Sequence, residues 1–554
     1  MKYSIAPLPD WAEVDGDDLV QVARHHRIPT GDGDILIVPD GRPGWLRCPA
    51  SVDALLDALD GTDVADLTAW SGFADVADTV RALYDNGLLF IGGRTGLRAV
   101  PMPRDGDPSE PPTALLLKLT GACDMACNYC YDYDAQRWPG RMDSGLARRL
   151  IKECLRPGRR LMLMFHGGEP LLRFAQIREL VDFADRAAAD VGATVSFTIQ
   201  TNGLHFTEPV VDFLRTHRFS VGVSLDGPRE IHDRDRVDHG GRGTFDRIAE
   251  NFRRFPDFMR HEVGYISVIG TATDLRQLHA TWRFFKNLGV LTWKLLPADA
   301  EGRASGTPET AQFREAFVEF LSDRLEAVLD GESEHPYLTN LVQLIEPFLS
   351  LERPNMCMKM PCGASNDLLV LDAVGSVRAC DSSYHPAFRL LPGDAVLPPT
   401  GRTVLPVIGS ATGRGERGGR VGRGEQVELV EDAENAEHAQ NVEEHRAPAD
   451  SLTARSRASE SARALRARER WLLSEAPCAS CPWLHQCAGT CPARAMINNG
   501  SLFSIDDLEC STRLALFPRI LADVSLPGSR LRRYHDLAKQ RAGAALAAAA
   551  APPR

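Results

Sequence analysis

The sequence predicts an α/β protein built around a parallel sheet. Between residues 113 and 300, six short apolar segments that suit buried strands alternate with amphipathic segments that suit helices. Strands separated by helices are typical of parallel sheets with right-handed crossovers. Four motifs rich in cysteine or polar residues follow predicted strands, where the ligands of such sheets gather.

The predicted strands and helices alternate between residues 113 and 300. The strands are predicted at residues 114–119, 161–165, 194–200, 220–224, 263–270 and 292–296. The helices are predicted at residues 146–155, 174–189, 208–217, 244–255 and 275–288. The strand segments are short and apolar, whereas the helix segments repeat their apolar residues every three to four positions.

Length, composition and charge argue for a globular protein and against nucleic-acid and membrane partners. The 554 residues suffice for two to four domains, and the 44% hydrophobic and 25% charged residues are ordinary for a globular protein. A net charge of -12 argues against a nucleic-acid partner. Because no apolar run is long enough to span a bilayer and the start lacks a signal-peptide core, we expect a cytoplasmic protein without a membrane partner.

The segments outside the sheet region divide into further units. Residues 1–93 contain two predicted strands (35–39 and 45–48), three short helices (51–59, 62–70 and 74–86) and a returning strand (88–91). Residues 94–112 are a Gly/Pro-rich linker, and residues 301–351 are bridging helices. Residues 352–525 hold most of the remaining cysteines, with a Gly/Arg-rich and acidic insertion at about 400–450 that we expect to be disordered, and 526–554 form a helical tail.

Three cysteines follow the first predicted strand. Cys123, Cys127 and Cys130 form a C-x3-C-x2-C run, with Tyr129 just before the last cysteine. Three such thiolates can hold three irons of a four-iron cluster and leave the fourth iron open for chemistry. A zinc knuckle or a set of buried thiols is the alternative, although zinc favours paired C-x2-C motifs with a fourth cysteine or histidine nearby.

Eight further cysteines make two complete sets of four thiolates. Thirteen cysteines in a chain whose start lacks a signal-peptide core indicate metal binding or redox chemistry rather than disulfides. Two zinc ribbons are an open alternative to iron–sulfur clusters here, because C-x2-C is also a zinc spacing. Cys48 and Cys154 stand in apolar contexts that suit inert core thiols.

The first cysteine run, together with His166-Gly-Gly-Glu-Pro170, Gln200-Thr-Asn-Gly203 and Ser224-Leu-Asp-Gly227, resembles the signature of the radical S-adenosylmethionine (SAM) enzymes. The later cysteines resemble the SPASM domain of peptide maturases, and the resemblance spans about residues 94–516. It implies a partial (β/α)6 barrel at 113–300, a SPASM domain at 352–525 and, in residues 1–93, a winged-helix-like domain that grips a precursor peptide.

The resemblance implies SAM and three four-iron, four-sulfur clusters as cofactors. Cys123, Cys127 and Cys130 would bind the SAM-cleaving cluster. The first auxiliary cluster would be bound by Cys357, Cys362, Cys380 and Cys491. The second would be bound by Cys478, Cys481, Cys487 and Cys510.

The residues implied to contact the cofactor are Tyr129, His166, Gly167, Gly168, Glu169, Asn202, Ser224, Arg236 and Leu295. By resemblance, the segment of Glu169 holds the amino group of SAM, and Ser224 and Arg236 hold its carboxylate. Asn202 would lie near the ribose, and Leu295 or its neighbour Leu296 near adenine. Two glycines would let the backbone approach a ligand closely.

The implied reaction is an oxidation of a ribosomally made peptide. A 5′-deoxyadenosyl radical would remove a hydrogen atom, and an auxiliary cluster would take a second electron, giving a C–C or thioether cross-link with the loss of two hydrogens. A flavodoxin, ferredoxin or reductase would supply electrons. Asp381, directly after Cys380, is the predicted general base, and we expect the anionic cluster beside it to raise its pKa.

Three alternatives remain open at this stage. A sulfatase-maturating type of enzyme would oxidise Cys or Ser to formylglycine and would not need residues 17–93. An epimerase would need a thiol hydrogen donor, for which neither Cys48 nor Cys154 is well placed. A zinc-stabilised binding scaffold without catalysis is the third.

Overall fold

The structure is a computed structural model that describes residues 2–5, 15–69, 72–100, 111–135, 140–332, 336–351, 355–360, 362–393 and 451–548. The predicted insertion at residues 400–450 lies outside these ranges. None of the helices within these ranges is long and apolar enough to cross a bilayer.

The N-terminal unit combines small antiparallel sheets with three helices. Its strands are β1 (Lys2–Ile5), β2 (Val20–Val22), β3 (His25–Pro29), β4 (Asp34–Pro39), β5 (Leu46–Pro49), β6 (Leu89–Ile91) and β7 (Leu97–Val100). Its helices are α1 (Val52–Leu59), α2 (Val64–Ala69) and α3 (Phe73–Asp85). Strands β3, β4 and β5 form one sheet, while β2 pairs with β6 and β1 with β7. The predicted hairpin, three helices and returning strand are therefore present, and β2 and β3 precede them.

Strand β4 is buried on both of its faces. Ile35 and Ile37 pack into the unit's own core with its helices. Leu36 and Val38, which point the other way, belong to the core shared with the barrel and the C-terminal helices. The unit is therefore seated on the rest of the chain rather than tethered to it by a linker alone.

Six parallel strands form the centre of the protein. They are β8 (Ala114–Lys118), β9 (Arg160–His166), β10 (Thr194–Thr201), β11 (Ser220–Ser224), β12 (Val263–Ile269) and β13 (Thr292–Pro297), paired in that order. The intervening helices are α4 (Ser144–Cys154), α5 (Phe174–Val191), α6 (Glu208–Thr216), α7 (Arg229–Asp235), α8 (Phe245–Arg254) and α9 (Leu275–Leu288). The predicted α/β fold with six strand–helix units is confirmed, and α7 is a helix that the sequence pattern did not indicate.

The sheet continues beyond the six strands at both edges. Further strands are β14 (Tyr337–Leu338), β15 (Leu368–Leu371), β16 (Val377–Arg378) and β17 (Arg389–Leu391). Strand β14 pairs with β13, and β15 pairs in parallel with β8. In the described residues β8 and β13 do not pair with each other, so the barrel stays open. The hairpin that carries Cys380 is thereby an extension of the barrel sheet.

Helices of the second half cover the open sheet and surround the later cysteines. They are α10 (Ala311–Leu329), α11 (Thr339–Leu349), α12 (Leu452–Arg457), α13 (Glu460–Ser474), α14 (Leu484–Cys487), α15 (Pro492–Asn499), α16 (Asp507–Val524) and α17 (Arg530–Ala548). Helices α10 and α11 pack against α16 and α17. The predicted bridging helices at 301–351 correspond to α10 and α11.

The barrel strands present different residues to their two sides. In β13, Trp293 packs at a tilt against Phe285 and edge-on against Phe320 in the helical layer, and Leu295 shares that side of the strand. Lys294 and Leu296 alternate with them and face the concave interior. The concave side is where a substrate or cofactor has room to bind.

Candidate cluster and cofactor site

The three cysteines after β8 come together in one small buried group. Cys123, Cys127 and Cys130 pack with Met125 and Tyr129. Burial raises the pKa of each thiol, that of Cys127 to about 11. A neighbouring thiol adds to the rise at Cys123 and Cys127, and Asp132 adds to it at Cys130. Cysteine binds metals as the thiolate, whereas burial here favours the neutral thiol. The three thiols would therefore need a bound metal cation to stay ionised.

The spacing of these and the later thiols does not suit a single metal ion. Within the described residues, no three His, Cys, Asp or Glu side chains converge closely enough to hold one ion. Zinc draws its sulfur ligands to about 2.3 Å from one point, whereas each thiolate of a four-iron cluster binds a different iron. The donor set of three soft thiolates therefore fits an iron–sulfur cluster.

The motif after β9 packs against the chain that leads to Cys123. The amide of Gly168 donates to the carbonyl of Thr120 at 2.8 Å, and that of Glu169 donates to the carbonyl of Ala122 at 2.9 Å. A Cβ on Gly168 would lie 2.1 Å from the Ala122 oxygen, so only glycine permits this approach. The close partner of the glycines is thus the cysteine loop, while their predicted contact with SAM stays a prediction.

Glu169 joins the ends of β9 and β10. Its carboxylate is fully buried and accepts hydrogen bonds from the amides of Leu171 (2.9 Å) and Asn202 (2.7 Å) and from the hydroxyl of Thr201 (2.7 Å). Burial raises its pKa to about 7, although these donors oppose the rise. The side-chain amide of Asn202 donates to Asp124, the residue after Cys123, at 2.7 Å. Both predicted cofactor residues therefore also support the cysteine loop.

A buried carboxylate that the sequence analysis did not single out links two predicted site residues. Asp226 accepts hydrogen bonds from the hydroxyl of Tyr129, from Nε of Arg236 (2.9 Å) and from the amide of Val268 (2.9 Å). The guanidinium of Arg236 also lies 5.3 Å from the centre of the Tyr129 ring. The carboxylate keeps Arg236 charged in its buried position, where desolvation opposes the charge. Its only sequence signal was an Asp-Gly pair that also suits an ordinary turn.

The remaining predicted cofactor residues divide between the two sides of the sheet. The hydroxyl of Ser224 accepts from the amide of Gln200 at 3.0 Å, on the concave side. Gly222 makes room for that amide, because a Cβ there would lie 2.1 Å from the Gln200 oxygen. Leu295 points into the helical layer, so Leu296 is the member of the predicted pair that faces the interior.

A fully buried lysine joins the first cysteine loop to the second cysteine region. The ammonium group of Lys118, the last residue of β8, lies 2.7 Å from both Asp132 and Asp381. It also sits 4.3 Å from the centre of the Tyr384 ring. Tyr131 donates its hydroxyl to the other oxygen of Asp381 at 2.8 Å. Lys118 was missed because a lysine at a strand end is usually solvated.

The predicted rise in the pKa of Asp381 is wrong. Burial by itself would raise it, but Lys118, His166 and the Tyr131 hydroxyl hold the pKa well below its usual range. His166 Nε2 lies 3.9 Å from the carboxylate. Asp381 is therefore an ionised carboxylate at neutral pH, held by protein donors on both oxygens.

The eight later cysteines lie in two neighbourhoods. Burial raises the pKa of Cys362 and Cys491, and the nearby thiols of Cys357 and Cys380 add to the rise. Burial raises the pKa of Cys478 to about 12, and the charges of Cys487, Cys481 and Cys510 add to it. The assignment of these eight residues to two auxiliary clusters stays a prediction. Cys48 and Cys154 are buried apart from both sets.

A second tie connects the carboxyl end of β13 with the second cysteine region. Arg494, three residues after Cys491, donates to Asp299 at 2.7 Å and also pairs with Glu309. Glu301 accepts from the hydroxyl of Ser383 at 2.7 Å and from the amide of Tyr384 at 3.0 Å. The mouth of the barrel is thus closed on one side by the segment that follows Cys380.

The chain is similar to known proteins over much of this architecture. Residues 117–284 match the model of the Radical SAM superfamily. The cysteine-type anaerobic sulfatase-maturating enzyme of Clostridium novyi (strain NT) is 28% identical over 190 residues, which are 33% of this chain and 50% of that enzyme. Mycofactocin maturase MftC of Mycobacterium tuberculosis (strain H37Rv) is 29% identical over 293 residues, 50% of this chain and 67% of that protein.

A solved structure shares the fold. Native anSMEcpe with bound AdoMet and Cp18Cys peptide aligns with a TM-score of 0.54 and 18% identity, covering 78% of this chain and 99% of that one. The chain spans about half the length of the sulfatase-maturating relatives of the cysteine type that it matches.

Proposed function

We propose, on the premise that residues 117–284 form a radical SAM domain, that this chain is an enzyme that oxidises a ribosomally made peptide. The observation that carries the proposal is the buried Lys118, whose ion pairs with Asp132 and Asp381 tie the first cysteine loop to the region of the later cysteines. Two auxiliary clusters next to the barrel mouth suit an oxidation in which the substrate gives up a second electron.

The first cysteine loop and the concave face would hold the cofactors. Cys123, Cys127 and Cys130 would hold the four-iron cluster. Together with bound SAM, that cluster would supply the radical chemistry that removes a hydrogen atom from the substrate. Ser224 and Arg236 would receive the SAM carboxylate, and Leu296 would contact adenine. Asp226 keeps Arg236 in place, and Glu169 with Asn202 supports the loop.

The substrate radical must lose a proton as well as an electron. Asp381 is ionised and lies at the junction of the barrel and the hairpin after Cys380, so it can accept that proton. Its low pKa makes it a weak base, which suits a substrate radical that becomes strongly acidic as the electron leaves. Lys118 and Tyr131 fix its position.

The N-terminal unit supports a peptide substrate. Its three-stranded sheet has β3 and β5 as edge strands, and a leader peptide could add beside such an edge through main-chain hydrogen bonds. Gln486, next to Cys487, donates its side-chain amide to the carbonyl of Pro43 at 2.8 Å. A peptide held on this unit would therefore be tethered to the domain that carries the later cysteines. Flavodoxin or ferredoxin as electron donor, and the cytoplasm as location, belong to the same proposal.

Formylglycine formation on a sulfatase is the second candidate. It is favoured by the relatives named as sulfatase-maturating enzymes and by an aspartate directly after Cys380. Formylglycine formation would leave residues 17–93 without a role. An epimerase is less well supported, because Cys48 and Cys154 are 6% and 4% exposed and lie in hydrophobic cores.

Mass spectrometry of the treated peptide separates the candidates. The purified, anaerobically reconstituted enzyme is incubated with SAM, reductant and either the short peptide encoded beside its gene or a sulfatase-derived peptide. We expect the encoded peptide to lose two hydrogens and to show no aldehyde with a hydrazide probe. An aldehyde formed only on the sulfatase peptide would support the second candidate instead, and a zinc-loaded, colourless protein would contradict both.

A further inference from the structure

Two buried arginines stand between the two sets of four cysteines. Arg468 lies in α13 and Arg513 in α16, and they are 2% and 6% exposed. A guanidinium stays protonated under all ordinary conditions, so each brings a permanent positive charge into the protein interior. Such a charge is costly to bury unless anionic or strongly accepting groups surround it.

Arg513 contacts groups that belong to both sets. Its Nη1 lies 3.1 Å from the sulfur of Cys487, a member of the second set. Its Nη2 lies 3.3 Å from the sulfur of Met358, the residue after Cys357 of the first set. Glu509 pairs with Nη2 at 3.0 Å and accepts from the amide of Cys491, also of the first set, at 2.8 Å. One side chain therefore bridges the two sites.

Arg468 fixes the short link that joins the sets along the chain. Its Nη2 donates to the carbonyl of Gly489 at 2.9 Å, midway between Cys487 of the second set and Cys491 of the first. Ala488, Gly489 and Thr490 all have left-handed φ values, of 59°, 78° and 62°. Two of them are not glycine, so this backbone is strained and needs such an anchor. Arg468 also donates from Nε to the carbonyl of Leu502 and from Nη2 to that of Ser504.

These contacts have an electrostatic consequence once clusters are bound. A four-thiolate cluster is anionic, and reduction adds a further negative charge. Nearby cations and N–H donors to the cluster sulfurs stabilise the reduced form and raise the reduction potential. We propose that Arg468 and Arg513 raise the reduction potentials of the two auxiliary clusters, so that these can take the electron that the substrate radical releases with its proton. This rests on the proposed function, because it requires iron–sulfur clusters in both sets.

The test is a potentiometric titration, followed by electron paramagnetic resonance, on the full-length chain with Cys123, Cys127 and Cys130 changed to alanine. Only the auxiliary clusters then contribute to the signal. Arg513→Met keeps an unbranched, flexible side chain that is shorter than arginine, and removes the charge. We expect about eight irons to remain and the equilibrium constant for reduction to fall about tenfold, equal to about 59 mV for a one-electron couple.

Two further variants serve as controls, one for the position of the positive charge and one for the shape of the group that carries it. Arg519→Met removes a cation from the same helix, but Arg519 pairs with Glu326 at the surface and is 34% exposed. The equilibrium constants for reduction of both clusters should therefore stay within about twofold of those of the parent. Arg513→Lys keeps the charge and loses the planar fork, so its shift should be smaller than that of Arg513→Met.

An Arg513→Met protein with about eight irons and unchanged potentials would overturn the proposal. If that variant loses iron, Glu509→Gln decides, because it removes the negative charge that offsets Arg513 while keeping an acceptor for the Cys491 amide. It should raise the potentials, and a fall or no change would equally overturn the proposal. Metal analysis of the parent comes first: zinc in place of iron would refute the proposed function itself.

Discussion

The ammonium group of Lys118 lies 2.7 Å from a carboxylate oxygen of Asp381. Lys118 ends the first barrel strand, whereas Asp381 directly follows Cys380 in the second cysteine region. Lys118 is 1% exposed, and its other carboxylate partner, Asp132, stands two residues after Cys130. One buried cation thus joins the first cysteine loop to the hairpin that carries Cys380.

The Asp381→Asn variant tests the proposed base. Its volume is almost unchanged while its basicity is lost, so 5′-deoxyadenosine should still form and modified peptide should fall by about a hundredfold. Asp132→Asn is the matched control, because it removes the other carboxylate charge beside Lys118 at a residue that is not the proposed base. Both should lower the free energy of unfolding by about 1–3 kcal/mol. An equal loss of product in the two variants would assign Asp381 to positioning alone.

The Asp226→Asn variant tests the support of Arg236. It leaves a buried guanidinium without its carboxylate, which should cost about 3–5 kcal/mol of unfolding free energy in urea titrations. It should also weaken SAM binding, measured by calorimetry. Tyr129→Phe removes only one hydroxyl donor and should cost about 1 kcal/mol. Wild-type SAM affinity in Asp226→Asn would show that Arg236 does not depend on this pair.

The raised pKa of Asp299 should appear in the pH dependence of the free energy of unfolding. Burial raises the pKa of its carboxyl to about 7 even though Arg494 opposes the rise. The folded protein therefore holds this proton more tightly than the unfolded chain, and the corresponding stability is lost as pH rises from about 4 to about 7. The urea midpoint of Asp299→Asn should depend less on pH over this window. Parallel curves for parent and variant would contradict the assignment.

Removal of the N-terminal unit tests its role in binding the peptide. Deleting residues 17–93 should raise the peptide's dissociation constant and leave SAM cleavage with added reductant nearly intact. The deletion also uncovers the surface against which Leu36 and Val38 pack, so some stability will be lost. Gln486→Ala is the control, because it removes only the hydrogen bond to Pro43 and should cost about 1 kcal/mol without changing peptide affinity. Equal affinity in deleted and full-length protein would refute the role.

The sequence pattern was sufficient for the alternating strands and helices, because apolar periodicity is a local signal. The pairing of β15 with β8 leaves no such signal, since it joins segments far apart in the chain. Asp226 resembled a turn residue, and its burial follows only from the packing of Tyr129 and Arg236 around it. The choice between Leu295 and Leu296 depends on which side of β13 faces the helices, which two adjacent leucines cannot indicate.

Iron content and SAM cleavage, measured together, test whether the chain holds three clusters and cleaves SAM at the one on Cys123, Cys127 and Cys130. The anaerobically reconstituted protein should bind about twelve irons, and the variant with Cys123, Cys127 and Cys130 replaced by alanine about eight. With dithionite and SAM, the parent should release 5′-deoxyadenosine and methionine, and the variant should release neither. An unchanged rate of SAM cleavage in the triple variant would contradict the account.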